Sequence, residues 1–301
     1  MNSPLPEKRA SIKKAVKNVE MNARTEQIIR AVYECCYLST SDIWRIFYPQ
    51  ARIQASSRKV KRLTEHTYLE RVYNPKKKEY LYRIGEMGIE LIAALSGMEK
   101  GEIKKIVLLR DRETPLILLD HALQCADIQM QIKAALINHR LAQLKRYISW
   151  GDYALNEDGK LVKILLQNVF HPTLKRYVAV LSDGCFIIEG KDRFAGYESL
   201  FFLEIDRSTE PLGKIAQKIY KYHLLLAQKK FLAYGNFKSF KVLFITTSSK
   251  RITSIRETLS GTEGMQMLLF STFAEITARN FFDDTIWMTP GGELKSIIKS
   301  E

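Results

Sequence analysis

Phe201-Phe202-Leu203-Glu204-Ile205-Asp206-Arg207-Ser208-Thr209-Glu210-Pro211 decides how the second half of the chain is read. The apolar run from Leu200 to Leu203, resumed at Ile205, predicts a strand buried on both faces. Glu204 and Asp206 stand two apart, so both carboxylates point to one side of that strand. An unpaired buried carboxylate is expensive. Either cations (a metal, Arg or Lys) sit opposite the two acids, or the strand ends there and the acids lie at its wet tip. Pro211 then opens an amphipathic helix, with Ser208 or Thr209 as N-cap.

The rest of the chain sets the frame for that strand. At 301 residues there is room for two or more domains. A hydrophobic content of 46% lets each bury a core. No run of 18 apolar residues predicts a membrane span, and residues 1–20 lack the apolar core of a secretory signal, so a cytoplasmic protein is expected. Cys35, Cys36, Cys125 and Cys185 have no CxxC spacing and read as buried thiols rather than a disulfide framework or zinc site. The net charge is +14, and residues 1–100 carry 19 Lys+Arg against 11 Asp+Glu, more than half of that excess in a third of the length. A basic module points to nucleic acid before an anionic membrane.

That basic third has a recognisable order. Residues 1–23 read as a basic arm. A helix follows from Arg24 to Tyr37, with Ile28, Ile29, Val32, Tyr33 and Cys36 on one stripe. Leu38 to Ser41 is a turn with N-cap chemistry, and Asp42 to Phe47 is a second helix. Ser56 to His66 is a third, with Val60 and Leu63 inward. Tyr68 to Tyr73 and Glu79 to Ile84 are the strands of a hairpin turning at Asn74-Pro75-Lys76-Lys77-Lys78. Three helices and a hairpin with a basic tip make a winged helix-turn-helix over residues 24–95. Small residues at the start of the third helix, Ser56 and Ser57, would let it enter a major groove. Arg52, Arg58, Lys59, Lys61 and Arg62 would then reach phosphates or guanine edges. Lys76, Lys77 and Lys78 would touch the neighbouring backbone, which makes double-stranded DNA the expected partner. After the wing, Tyr82-Arg83-Ile84-Gly85-Glu86-Met87-Gly88-Ile89-Glu90-Leu91 resembles the closing pattern of winged-helix regulators.

Residues 96–115 read as a linker and 116–301 as a second domain. Leu116 to Tyr147 reads as one long helix whose apolar stripe exceeds what a small domain can cover, a candidate homodimer interface. Beyond it, strand-like pieces at 160–169, 177–181 and 185–188 precede the opening stretch. A helix at 211–228, a strand at 241–246, a helix at 254–259, a strand at 267–271 and a helical turn at 274–280 follow. The whole is α+β: a winged helix, then an α/β domain of helix, three strands, helix and strand.

Taken with this order of domains, Phe202-Leu203-Glu204-Ile205-Asp206-Arg207-Ser208-Thr209-Glu210 and its Lys/Tyr-rich helix resemble the replication-relaxation family of plasmids and other mobile elements. The resemblance implies a DNA-binding protein in plasmid replication or DNA relaxation, with replication or conjugation proteins as partners. A second resemblance is to the PD-(D/E)XK nuclease core, which implies Mg²⁺ as cofactor. Asp183 would be the first metal-binding acid and Glu204 the second, with Asp206 beside it. The water-orienting lysine of that core is replaced by Asp206, and Ser182 stands where proline is usual. Lys214 or Lys218, on the following helix, would supply the missing charge. These departures predict a degenerate nuclease. An active Mg²⁺-dependent endonuclease and a winged-helix transcriptional regulator are the alternatives. No phosphate-binding Walker loop, GxSxG, HExxH or relaxase-type histidine pair is present. Tyr220 and Tyr222 lack the histidine cluster a DNA-cleaving tyrosine would use.

Overall fold

Asn22 opens the first helix, its side chain accepting from the backbone N–H of Thr25 at 3.0 Å. The computed structural model describes residues 19–75, 77–115 and 118–298. Most of the expected basic arm, residues 1–18, and Lys76 of the wing lie outside the described residues. The chain divides into two compact units, residues 1–127 and 128–301.

In the first unit α1 (Ala23–Cys35) is followed by β1 (Leu38–Ser39), α2 (Thr40–Phe47), α3 (Ile53–Glu65), β2 (Leu69–Asn74), β3 (Glu79–Ile84) and α4 (Glu86–Ser96). Ser39 and Asp42 close a reciprocal capping box that fixes the start of α2. The three strands form an antiparallel sheet in the order β1-β3-β2: β2 and β3 are the expected hairpin of a winged helix, and β1 lies where the sequence predicts only a turn. Two glycines explain the pattern after the wing. A Cβ on Gly85 would lie 2.3 Å from the Thr67 carbonyl oxygen, and one on Gly88 the same distance from that of Tyr68. The stretch expected as a linker holds a helix, α5 (Lys100–Glu113). Ile103 and Ile106 are buried on it, Arg110 donates to the Tyr33 carbonyl oxygen at 2.7 Å, and Asp111 accepts from Tyr37 and Arg83.

The expected long helix is corrected to 18 residues, α6 (Leu119–Leu136). The chain turns at residues 137–141, and Leu144 and Tyr147 belong to a strand, β4 (Ala142–Ser149). The length of α6 therefore calls for no second copy to cover its stripe. The division between the units lies within α6.

The second unit is richer in strands than its sequence suggests. Two small hairpins, β5 (Tyr153–Leu155) with β6 (Leu161–Lys163) and β7 (Leu166–His171) with β8 (Arg176–Leu181), precede β9 (Gly184–Gly190) and β10 (Glu198–Ile205). Then come α7 (Leu212–Ala227), β11 (Phe240–Thr246), α8 (Ser249–Thr258), β12 (Leu268–Thr272) and two short strands, β13 (Trp287–Met288) and β14 (Leu294–Lys295). Residues 274–280 form turns rather than helix. The main sheet runs β14-β13-β12-β11-β10-β9-β4. Strands β10, β11 and β12 are parallel, and β9 and β4 join antiparallel. Each parallel step moves the same way across the sheet, so right-handed crossovers put α7 and α8 on one face. Alternation does the rest. Leu200 and Phe202 of β10 pack with Ile215, Ile219 and Tyr222 of α7, while Phe201 stacks on Phe186 of β9. The Phe202 ring meets those of Tyr222, Tyr234 and Phe240, and truncating it to alanine would cost about 3–5 kcal/mol. Glu204, two residues after Phe202, is thereby aimed at α7.

Candidate functional site

The last residues of β10 are buried although they are charged: Glu204 is 2% exposed and Asp206 5%. The strand stops at Ile205, but Asp206 is held in the sheet by its N–H, which donates to the Ile245 carbonyl oxygen at 2.8 Å. Cations do sit opposite both acids, and they come from different helices. Lys218 of α7 places Nζ 2.8 Å from Glu204 Oε2 and 3.4 Å from Glu210 Oε2. Arg251 of α8 places Nε 2.9 Å from Asp206 Oδ2.

Asp183 joins the Glu204 side. It immediately precedes β9, its N–H donates to the Leu203 carbonyl oxygen at 3.0 Å, and its Oδ2 accepts from the Ile205 N–H at 2.7 Å. Two acids on neighbouring strands and a lysine from the crossover helix thus form one electrostatic cluster. The Glu204 carboxyl is pushed up to about 7: burial raises it most, Lys218 pulls it down, and the Asp183 charge also raises it. Lys218 is held above its ordinary value, first by Glu204 and also by Asp183. Tyr222, one turn beyond Lys218, donates its hydroxyl to Glu204 Oε1, and burial followed by the Glu204 charge raises its pKa. Above Glu204 opens a cavity of about 270 Å³. Ala179, Val180 and Leu181 of β8 line it on one side, Lys214, Gln217, Lys218 and Lys221 of α7 on another.

The sequence-predicted residues therefore separate. Asp183, Glu204 and Lys218 come together. Lys214 is exposed on the cavity wall. Asp206, expected as a third metal ligand, is instead committed to Arg251, to the Thr246 hydroxyl at 2.8 Å and to the Ser208 N–H at 3.0 Å. The strand ends between the two acids, and the backbone carries Asp206 toward α8. Asp183 and Glu204 both offer carboxylate oxygens, the donor type that a hard divalent ion such as Mg²⁺ takes. The Glu204 carboxyl is raised chiefly because it is buried, with Asp183 adding to the rise and Lys218 opposing it.

On the first unit, α3 turns Val60 and Leu63 inward and leaves Arg52, Ser57, Arg58, Lys61 and Arg62 exposed, with Lys59 half-buried. Burial, then Arg62, depresses the Lys59 pKa. Ser56 is corrected: it is fully buried, one turn before Val60 on the inward stripe, and its hydroxyl bonds the Ile53 carbonyl oxygen at 2.8 Å. Lys77 and Lys78 are exposed at the wing tip, where Lys78 takes a left-handed φ of 52°.

Residues 29–239 match the replication-relaxation family. The chain belongs to that family. The match runs from α1 through β10 and α7, so it includes both α3 and the Asp183, Glu204 and Lys218 cluster. No curated protein matches this replication-relaxation protein. Among solved structures, it is similar to the transcriptional regulator Tm0710 from Thermotoga maritima at 19% identity over 38% of this chain and 80% of that one, with a TM-score of 0.25. The reduced form of MarR from E. coli is 18% identical over 39% of this chain and 88% of that one, with a TM-score of 0.24. A MarR variant from E. coli complexed with operator DNA is 15% identical over 36% and 86%, with a TM-score of 0.21. The family member's winged helix is defined by its own element order and strand pairing. Among the described residues no helix is long and apolar enough to cross a membrane, and all four cysteines are buried outside any disulfide. Arg251 and Thr246 escaped sequence reasoning. No local signal marks them, because the parallel pairing of β10 with β11 is what brings them to Asp206.

Proposed function

We propose that this protein binds duplex DNA of a plasmid or conjugative element through α3 and the wing, and that its second unit acts on DNA phosphodiesters at Asp183, Glu204 and Lys218. The carrying observation is Lys218, whose Nζ lies 2.8 Å from Glu204 in the cluster that includes Asp183. The sequence argued for a degenerate centre because Asp206 stands where a lysine is usual. Lys218, one of the two lysines expected to supply the missing charge, reaches Glu204 and supports an active centre instead.

In this reading Asp183 and Glu204 would hold a Mg²⁺ ion, which supplies Lewis acidity and a more acidic water when bound. Lys218 contributes a fixed positive charge to offset charge developing on the phosphate. Tyr222 holds the Glu204 carboxylate in place through its hydroxyl. Lys214 and Lys221 on the cavity wall would attract the anionic backbone. On the first unit, exposed Arg58, Lys61 and Arg62 supply phosphate contacts, so affinity should fall tenfold or more, roughly, between 50 and 200 mM salt.

The test is nicking of supercoiled plasmid by purified protein with Mg²⁺ or Mn²⁺. Nicking is expected in the wild type and should be lost in Asp183→Asn, Glu204→Gln and Lys218→Ala. A wild type that never nicks with either metal, and whose melting temperature no metal shifts, leaves the cluster as a structural ion network. In that second reading the protein acts as a DNA-binding regulator. The Glu204, Lys218 and Tyr222 contacts favour it, because they already occupy both oxygens of Glu204.

A further inference from the structure

The wing carries more than its lysines. Strands β2 and β3 pair with Tyr73 opposite Tyr80 and Arg71 opposite Tyr82, so these four side chains share one face of the ribbon. At its base that face is core: Leu69 and Ile84 are buried. Toward the tip it opens to solvent, where Tyr73 is 50% and Tyr80 46% exposed. Their ring centroids are 5.3 Å apart with planes tilted by 57°. The Arg71 guanidinium lies 4.3 Å from the centre of the Tyr80 ring. Exposed Lys77 and Lys78 follow in the turn. A cross-strand pair helps hold a hairpin. That role needs no aromatic ring faces left in water, and none with a guanidinium laid on one of them.

We infer that Tyr73, Tyr80 and Arg71 form a stacking platform for unpaired bases next to the duplex that α3 binds. The inference rests on the DNA-binding reading above and names a second class of DNA structure for the same unit. Inside a duplex each base has both π faces covered, and a flat ring on a ribbon cannot reach them without unstacking the helix. An unpaired base offers a free face. Stacking on aromatic rings and on arginine is tolerant of sequence, and the flanking lysines hold the backbone that carries the base. The platform therefore recognises strand opening rather than a base sequence.

Fluorescence anisotropy of the full chain, without metal, decides the matter with two probes that share one duplex sequence. One probe is blunt, and the other carries a flank of several unpaired nucleotides. Wild type should bind the flanked probe more tightly. Tyr73→Ala and Tyr80→Ala should each lose roughly tenfold on the flanked probe and little on the blunt one, in line with the worth of one stacked base. Their salt slope should stay at the wild-type value, since a ring releases no counterions, whereas Lys77→Ala should lower it. Tyr73→Phe and Tyr80→Phe keep the ring and should bind as wild type does. Equal affinity of the wild type for both probes overturns the platform alone. So do equal losses on both probes, or phenylalanine variants as weak as the alanine ones. Binding of neither probe overturns the DNA-binding reading with it.

Discussion

Glu204 and Asp206 are two residues apart at the end of β10, both buried, and differently served. Asp206 receives a guanidinium, a hydroxyl and a backbone N–H, and its nearest cation, Arg251, also donates to the Glu210 carbonyl oxygen. Glu204 receives Lys218 and the Tyr222 hydroxyl, but it shares Lys218 with Glu210 and feels the charge of Asp183. Burial, with the Asp183 charge adding to it, pushes Glu204 up to about 7 despite Lys218. A buried carboxylate with a full set of donors is a fixture of the fold. One that sits with a second acid beside a cavity can gain from a ligand. Proximity in sequence conceals that distinction.

The largest effect expected is at the fixture. Arg251→Ala would leave Asp206 buried and charged without its cation, which costs about 3–5 kcal/mol. Denaturant unfolding would measure it. Plasmid nicking per folded molecule should survive that change, and its loss would show that Asp206 belongs to the reactive cluster after all.

The next effect is pH-dependent and belongs to Glu204. Its folded pKa lies above its ordinary value of 4.5, so the folded state holds the proton more tightly than the unfolded one. The penalty is absent below about 4.5, grows as pH rises toward 7, and is constant above that. From the size of the shift it amounts to something on the order of 3 kcal/mol. In the presence of a chelator, wild type should therefore lose stability relative to Glu204→Gln across that window. Parallel stability curves for the two proteins would mean that Lys218 already balances Glu204 fully.

How much of this the sequence discloses depends on how local the cause is. The winged helix was readable because its signals are short-range: the Ser39 and Asp42 cap, the Pro75 turn and the inward Val60 and Leu63. Composition alone points Ser56 at the groove, whereas it is buried. Its spacing of four from Val60 already put it on the buried stripe. The need for cations opposite Glu204 and Asp206 followed from desolvation cost alone. Which cations they are did not follow. Lys214 and Lys218 are one helical turn apart, and only the docking of α7 on β10 selects Lys218. Arg251 depends on a strand pairing between residues 40 positions apart. The break of the supposed long helix was hidden because residues 137–141 contain neither Gly nor Pro.

A subtler way to sharpen the comparison is to change the one donor that is special to Glu204. Tyr222→Phe removes a hydroxyl that donates to the carboxylate and leaves the ring packed on Phe202. A hydrogen bond to a charged group is worth about 1.5 kcal/mol at the lower end of its range, so a modest loss of stability is expected above pH 7. That bond favours the ionised form, so losing it should raise the Glu204 pKa. The Glu204-dependent fall in stability should then extend to higher pH than in the wild type. Below about 4.5, where Glu204 is protonated in either protein, the two should differ less than at neutral pH. If Tyr222→Phe instead lowers stability equally at every pH, the hydroxyl serves packing alone. The separation of Glu204 from Asp206 would then rest on Lys218 and Asp183.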